Sequence, residues 1–231
     1  MYDLAVAKST ESIDDYLKAI LELAGDDGGR ATSNALASRL EISAASVTGM
    51  LRKLATRRPA LIDYKKHHGA RLTQEGRRRA MRVIRRHRLM ELFLCEVLGF
   101  SWDEVHEEAE RLEHVMSQKL EDRIAETLGH PEFDPHGQSI PRPDGTLAGV
   151  KTFMLNELEP GEKAIISAVS DRDPRILRDL AAQGLTPGRS LTMLERIPTE
   201  GLITLQVGAR KERRGLRLSQ ELAGSVLVRR P

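Results

Sequence analysis

The sequence predicts a mainly α chain with an α+β remainder: three helices and a hairpin at the N-terminal end, long amphipathic helices in the middle, and a small β-barrel at the C-terminal end. Three observations predict it. Apolar residues recur at helical spacing from Ile13 to Leu54 and again from Leu89 to Ile124. Two short helical patterns are followed directly by an alternating run interrupted at His68 and Gly69. Beyond a stretch rich in proline and glycine, short β-rich runs succeed one another with turns between them. At 231 residues the chain has room for two compact units and a small appendage, with no need of disulfide support.

Residues 9–24, STESIDDYLKAILELA, place Ile13, Leu17, Ile20 and Leu21 on one stripe, opened by capping candidates and closed by the turn GDDGG. TSNALASRL reads as a short helix with Leu36, Ala37 and Leu40 inward, EIS as a turn, and AASVTGMLRKLATR as a second helix burying Val47, Leu51 and Leu54. Ser43 stands where it can cap that second helix. LIDYKKHHGARLT then alternates, pauses and resumes, the pattern of a short hairpin. Helix, turn, helix, hairpin is the order of a winged helix-turn-helix, assigned to residues 1–73.

Residues 74–98 are helical again, arginine-rich at first and then apolar through Leu89, Leu92, Phe93 and Val97, with Gly99 as the stop. SWDEVHEEAERLEHVMSQKLEDRIAETLG reads as one long helix with Trp102, Val105, Ala109, Leu112, Met116, Leu120 and Ile124 apolar. Together, residues 74–129 form a helical domain that supplies a core and a dimer surface. Residues 130–155 read as a linker whose prolines cannot sustain a helix. In the last segment, 156–231, EKAIISAV, SLTMLERI, LITLQVG and SVLVRR are the strands, and PRILRDLAAQGL is a helix between the first two.

A net charge of +2 hides two opposed blocks. From Arg30 to Arg88 sixteen Lys or Arg face three acids, a balance of +13; from Glu91 to Asp134 thirteen acids face three bases, a balance of −10. A polyanion-binding module joined to a cation-binding one has this signature, although solvated helix faces produce it too. Cys95 is the sole cysteine, which excludes an internal disulfide and reads as core filler rather than nucleophile. No apolar run approaches the roughly 20 residues that span a bilayer, and acids stand where a signal peptide would be basic. A cytoplasmic protein with no membrane partner is expected.

On a helix of about 100° per residue, His106, Glu110, Glu113 and His114 share one face. His87 and Glu91, at i and i+4 on the preceding helix, add a second pair. Either pair alone reads as a solvated helix surface, so it is the convergence of six donors that points to a metal. Carboxylate and imidazole at high coordination number suit Mn²⁺ or Fe²⁺, with Mn²⁺ the expected ion and other divalent metals able to substitute in vitro. HEEAE lacks the second histidine of a zinc protease motif, and no Glu-x-x-His unit ends at His106 or His114. No catalytic residue is therefore assigned; a dinuclear Mn or Fe enzyme with a basic face, or a metal-storage protein, are the alternatives.

Duplex DNA is the expected partner of the basic block. Ser43, Ala44, Ala45, Ser46 and Thr48 stand at the start of the second helix, small enough to let it enter a major groove, and Arg52 follows on the flank. Lys65, Lys66 and His67 form the hairpin tip, placed for phosphate or minor-groove contact. Ser46 and Thr48 could read bases or merely hold phosphates; a winged helix used for protein contacts is the other alternative.

With these residues in hand, the chain resembles the diphtheria toxin repressor family of metal-dependent transcriptional regulators, including its manganese-sensing branch. The resemblance runs through the helix-turn-helix at 32–58, RHRLMELFL at 86–94, HEEAERLEHVMS at 106–117 and FDPHGQSIP at 133–141. The C-terminal segment is similar to that family's SH3-like, FeoA-type domain. The resemblance implies a homodimeric repressor of metal-uptake genes acting on an inverted-repeat operator. One metal site would consist of Asp15, Glu110, Glu113 and His114, and a neighbouring one of His87, Glu91 and His106, with Asp173 near an acidic position of the third domain. Asp15 and Glu110 stand where iron-sensing members carry sulfur ligands, and Lys18 stands where short manganese members carry a second carboxylate.

Overall fold

The computed structural model describes residues 4–25, 28–171, 173–208 and 214–231, so Asp26 and Asp27 of the predicted turn lie outside the described residues. The chain divides into two units, one of Met1–His87 with Leu112–Met116 and Pro141–Thr146, the other of Arg88–Arg111, Ser117–Ile140 and Leu147–Pro231.

The first unit holds helices α1 (Leu4–Ala24), α2 (Ser33–Arg39) and α3 (Ala44–Thr56), the hairpin β1 (Ile62–Lys65) and β2 (Gly69–Leu72), and the opening turns of α4 (Gln74–Glu96). Thr32 and Ser43 cap α2 and α3, their side chains accepting from the amides of Ala35 and Ser46, so each helix starts with an otherwise unpaired donor satisfied. Ile13, Leu17, Ile20, Leu36, Val47 and Leu51 close the core between the three helices. The hairpin is braced beneath its tip: the Arg30 guanidinium donates to the Asp63 carboxylate at 2.5 Å and to the backbone oxygens of Asp63 and Gly69, and Arg71 donates to the same carboxylate at 3.0 Å. Gly69, at φ +87°, lies so close to the Ala31 carbonyl that no Cβ fits there.

The second unit begins within α4 and adds α5 (Val105–Leu112) and α6 (Gln118–Thr127). α4 ends at Glu96 rather than 98, because the amides of Val97 and Leu98 both turn back to the Phe93 carbonyl ahead of Gly99 at φ +73°, which leaves Val97 49% exposed. The long helix expected from 101 to 129 is broken in two. Glu113–Val115 form a turn, and the Ser117 hydroxyl restarts the helix by accepting from the Leu120 amide at 3.2 Å. Leu120, expected inward, is 47% exposed, and Trp102 precedes α5 and packs against the C-terminal core.

Residues 130–149 contain no helix, as expected, but the stretch 131–140 is built structure rather than a spacer. Asp134 Oδ1 accepts from the amides of His136 and Gln138, Phe133 bridges Ser139, and the Val169 amide donates to the His136 carbonyl. Buried polar groups make a loop costly unless each is paired in this way.

The C-terminal sheet is antiparallel, with strands β3 (Phe153–Met154), β4 (Lys163–Val169), β5 (Ser190–Ile197), β6 (Leu202–Val207), β7 (Arg214–Ser219) and β8 (Val226–Arg229) in the order β3-β8-β4-β5-β6-β7. Helix α7 (Pro174–Ala182) and the single turn α8 (Gln220–Ala223) lie between strands, and Leu177 and Leu180 of α7 join Ile166, Met193 and Leu205 in an apolar core. Register shifts in β4 and β5 curl the sheet, as an SH3-like domain requires.

Candidate metal centre and DNA-reading face

In the first unit Asp15, Glu113 and His114 converge, with donor atoms within 4.8 Å of one another. The spacing of α1 puts Asp15 on the flank of its apolar stripe, and the break after α5 puts Glu113 and His114 in a turn rather than on the helix face expected for them. His114 Nε2 lies 3.1 Å from Asp15 Oδ1 and 3.6 Å from Glu113 Oε1. Glu113 is the hub. Its side chain is fully buried, its Oε2 lies 2.5 Å from His87 Nδ1, and both its oxygens accept from Lys18 Nζ at 3.3 Å. Engagement of His87 Nδ1 by a carboxylate leaves Nε2 as that ring's ligating atom, the usual arrangement behind a metal-bound imidazole.

In the second unit Glu91, His106 and Asp171 form another group, with His106 Nδ1 3.2 Å from Glu91 Oε1 and 3.7 Å from Asp171 Oδ2. Glu110 faces the other ring nitrogen, 3.9 Å from His106 Nε2. Glu91 and His87 lie one turn apart on α4. The expectation for Asp173 is corrected: its carboxylate caps α7 by accepting from the Arg175 amide and pairs with the Arg175 side chain, which holds it down at about 2, while Asp171 is the acid beside His106. A third group, Glu91, Asp134 and His136, is buried throughout, with His136 Nδ1 3.7 Å from Glu91 Oε2. Reading 130–155 as a linker hid it; the clue was an aspartate and a histidine flanking Pro135.

The electrostatics suit cations. Burial works against the His136 imidazolium, but the carboxylates of Glu91 and Asp134 outweigh it and raise its pKa to about 9. His114 is likewise raised against burial, by its bond to Asp15 and by Glu113. Burial, then Glu91, pushes Asp134 up to about 7. The donor set fits a hard divalent ion: carboxylate oxygens and imidazole nitrogens, with the buried His114 Nδ1 lacking a hydrogen-bond partner. Burial and then Glu91 lift the Cys95 thiol to about 11, away from the thiolate a nucleophile needs, and Cys95 is in none of the three groups that could hold an ion among the described residues.

On the DNA-reading face Ser43, Ala44, Ala45, Ser46 and Arg52 are exposed and Thr48 is half-buried. The Ser43 and Ser46 hydroxyls lie 2.9 Å apart and Thr48 Oγ1 donates to the Ala44 carbonyl, so all three hydroxyls have local partners. Lys65, Lys66 and His67 are exposed at the hairpin tip. A cavity of about 360 Å³ is lined by residues of both motifs, among them Ser33, Thr48, Tyr64, Lys66 and His67.

Three consecutive stretches match families of known proteins: residues 8–70 the iron-dependent repressor N-terminal DNA-binding domain, 73–142 the iron-dependent repressor metal-binding and dimerisation domain, and 153–230 the FeoA domain. The iron-dependent repressor IdeR of Mycobacterium leprae is 31% identical over 92% of this chain and 94% of its own length. The chain belongs to the iron-dependent repressor family. Among solved structures, a manganese-dependent transcriptional repressor in complex with manganese is 35% identical, with a TM-score of 0.88 over 95% of this chain and 100% of that one. ScaR with bound Zn²⁺ is 30% identical, with a TM-score of 0.79 over 95% and 99% of the two chains. This iron-dependent repressor relative thus carries most of its grouped oxygen and nitrogen donors on the segment matched to metal binding, with Asp15 in the DNA-binding segment and Asp171 in the FeoA segment, and its exposed basic hairpin tip falls within the DNA-binding segment.

Proposed function

We propose that the chain is a cytoplasmic, homodimeric transcriptional repressor that binds an inverted-repeat operator of metal-uptake genes when Mn²⁺ is plentiful. Donor chemistry carries the choice of metal: the three groups that can hold an ion among the described residues offer carboxylate and imidazole and no sulfur. The likeness to a manganese-dependent repressor supports the same ion, and the mycobacterial relative's name makes Fe²⁺ the rival co-repressor. One ion would be held by Asp15, Glu113 and His114 with Glu110 as a further donor. A second would draw on His87, Glu91 and His106, with Asp171 in the place first given to Asp173.

Asp15 lies on α1, and Glu113 and His114 lie on the turn between α5 and α6, so a cation there fastens the first helix of the DNA-binding motif to a segment covalently bound on both sides to the helical domain. Fixing that attachment sets the separation of two recognition helices in a dimer, which must match about one turn of DNA or a multiple of it. The ion acts by binding one arrangement better than the other. Chelated protein, Mn²⁺ and anaerobic Fe²⁺ compared by fluorescence anisotropy on operator duplex give the test. Tight binding with Mn²⁺ alone is expected; equal affinity in chelator removes the proposal, and a response confined to Fe²⁺ reassigns the metal.

A further inference from the structure

We propose that Lys18 is a built-in competitor of the metal: its ammonium group occupies the Glu113 carboxylate and so sets the cation concentration at which the Asp15, Glu113 and His114 site fills. The inference rests on the reading that those three residues hold the ion.

Lys18 Nζ sits 3.3 Å from both Glu113 oxygens and 3.3 Å from His87 Nδ1, with side-chain exposures of 8% for Lys18 and 0% for Glu113. A lysine is kept out of water at this level only where its charge is matched, so the ammonium is a fixed part of the site's charge balance. It also shares an element with the candidate ligand Asp15, three residues along α1, so one helix delivers an anion to His114 and a cation to Glu113 in the same group.

A divalent ion bound to Asp15, Glu113 and His114 would meet this positive charge one coordination shell away. Either the ammonium gives up Glu113 or the ion accepts the repulsion, and both routes lower affinity. A full charge about 5 Å from a divalent ion, even at the dielectric of water, weakens binding by at least about tenfold. The penalty depends on charge and not on ligand preference. It therefore falls equally on every divalent metal, shifting the threshold of response without reordering the metals.

Full-length protein is titrated with Mn²⁺, and separately with Co²⁺, by equilibrium dialysis and calorimetry, for wild type, Lys18→Met, Lys18→Gln, Lys18→Arg and Asp15→Ala. Both neutral variants are expected to tighten Mn²⁺ and Co²⁺ alike by at least about tenfold, with Lys18→Arg remaining near wild type. Lys18→Gln keeps a hydrogen-bond donor for Glu113 and serves if Lys18→Met does not fold. Affinity that is unmoved or weaker in the folded neutral variants, while Asp15→Ala loses Mn²⁺, overturns the role of Lys18 alone. Mn²⁺ binding indifferent to Asp15→Ala overturns the site and this inference together.

Discussion

Glu113 is where the polar interior of the first unit is concentrated, since it takes a lysine and two imidazoles on two oxygens. Glu113→Gln keeps the shape but strands the Lys18 ammonium, and breaking a buried pair from one side costs about 3 kcal/mol. Urea unfolding in chelator is expected to show that loss, and Mn²⁺ to restore none of it; stability equal to wild type would mean that Lys18 is solvated. His136 gives a dependence on pH. Its pKa of about 9 stands above the ordinary 6.5, so its contribution to stability is complete below about pH 6.5 and is lost as pH rises through 9; Asp134, raised to about 7 from 3.8, loses its contribution earlier, as pH rises from 3.8 through 7. Chelated protein should therefore melt progressively lower between pH 7 and 9.5, and His136→Gln should flatten the upper part of that decline. A melting temperature constant across the range would deny the shift. Which acid stands beside His106 was beyond the sequence: Asp171 and Asp173 are near neighbours, and the start of α7 claims the second as its cap.

At the scale of elements, the helix-turn-helix and its hairpin were legible because caps, apolar spacing and turn residues all agree there, from Thr32 and Ser43 to Gly69. The break between α5 and α6 was not. Apolar residues continue at helical spacing from Ala109 through Met116 to Ile124, neither glycine nor proline marks the turn, and only the Ser117 hydroxyl reveals it. Ser117→Ala is expected to cost about 1 kcal/mol in thermal or urea unfolding, the usual worth of such a cap. No loss would show that the break is imposed by packing alone. Strand β7 went unread because RGLRLS alternates arginine with small and apolar residues and lies beside a stretch without strand character.

The whole chain carries its basic block on the helix-turn-helix, the hairpin and the first turns of α4, and its acidic block from the end of α4 onward, which is why a near-neutral total was informative only when split. Affinity for DNA is expected to fall steeply with salt, and Lys66→Ala to reduce the slope of log K against log salt by about 1 without changing sequence preference. An unchanged slope would take the hairpin tip off the phosphates. The division into units has one more consequence. The first unit is discontinuous, taking in 112–116 and 141–146 after the chain has already left it. A polypeptide stopping after the hairpin would keep Asp15 and Lys18 but lose Glu113 and His114, which return from later in the sequence. Fragments cut at the obvious motif boundary should therefore be poor stand-ins for the intact reader, short of the residues that would let it sense its ion.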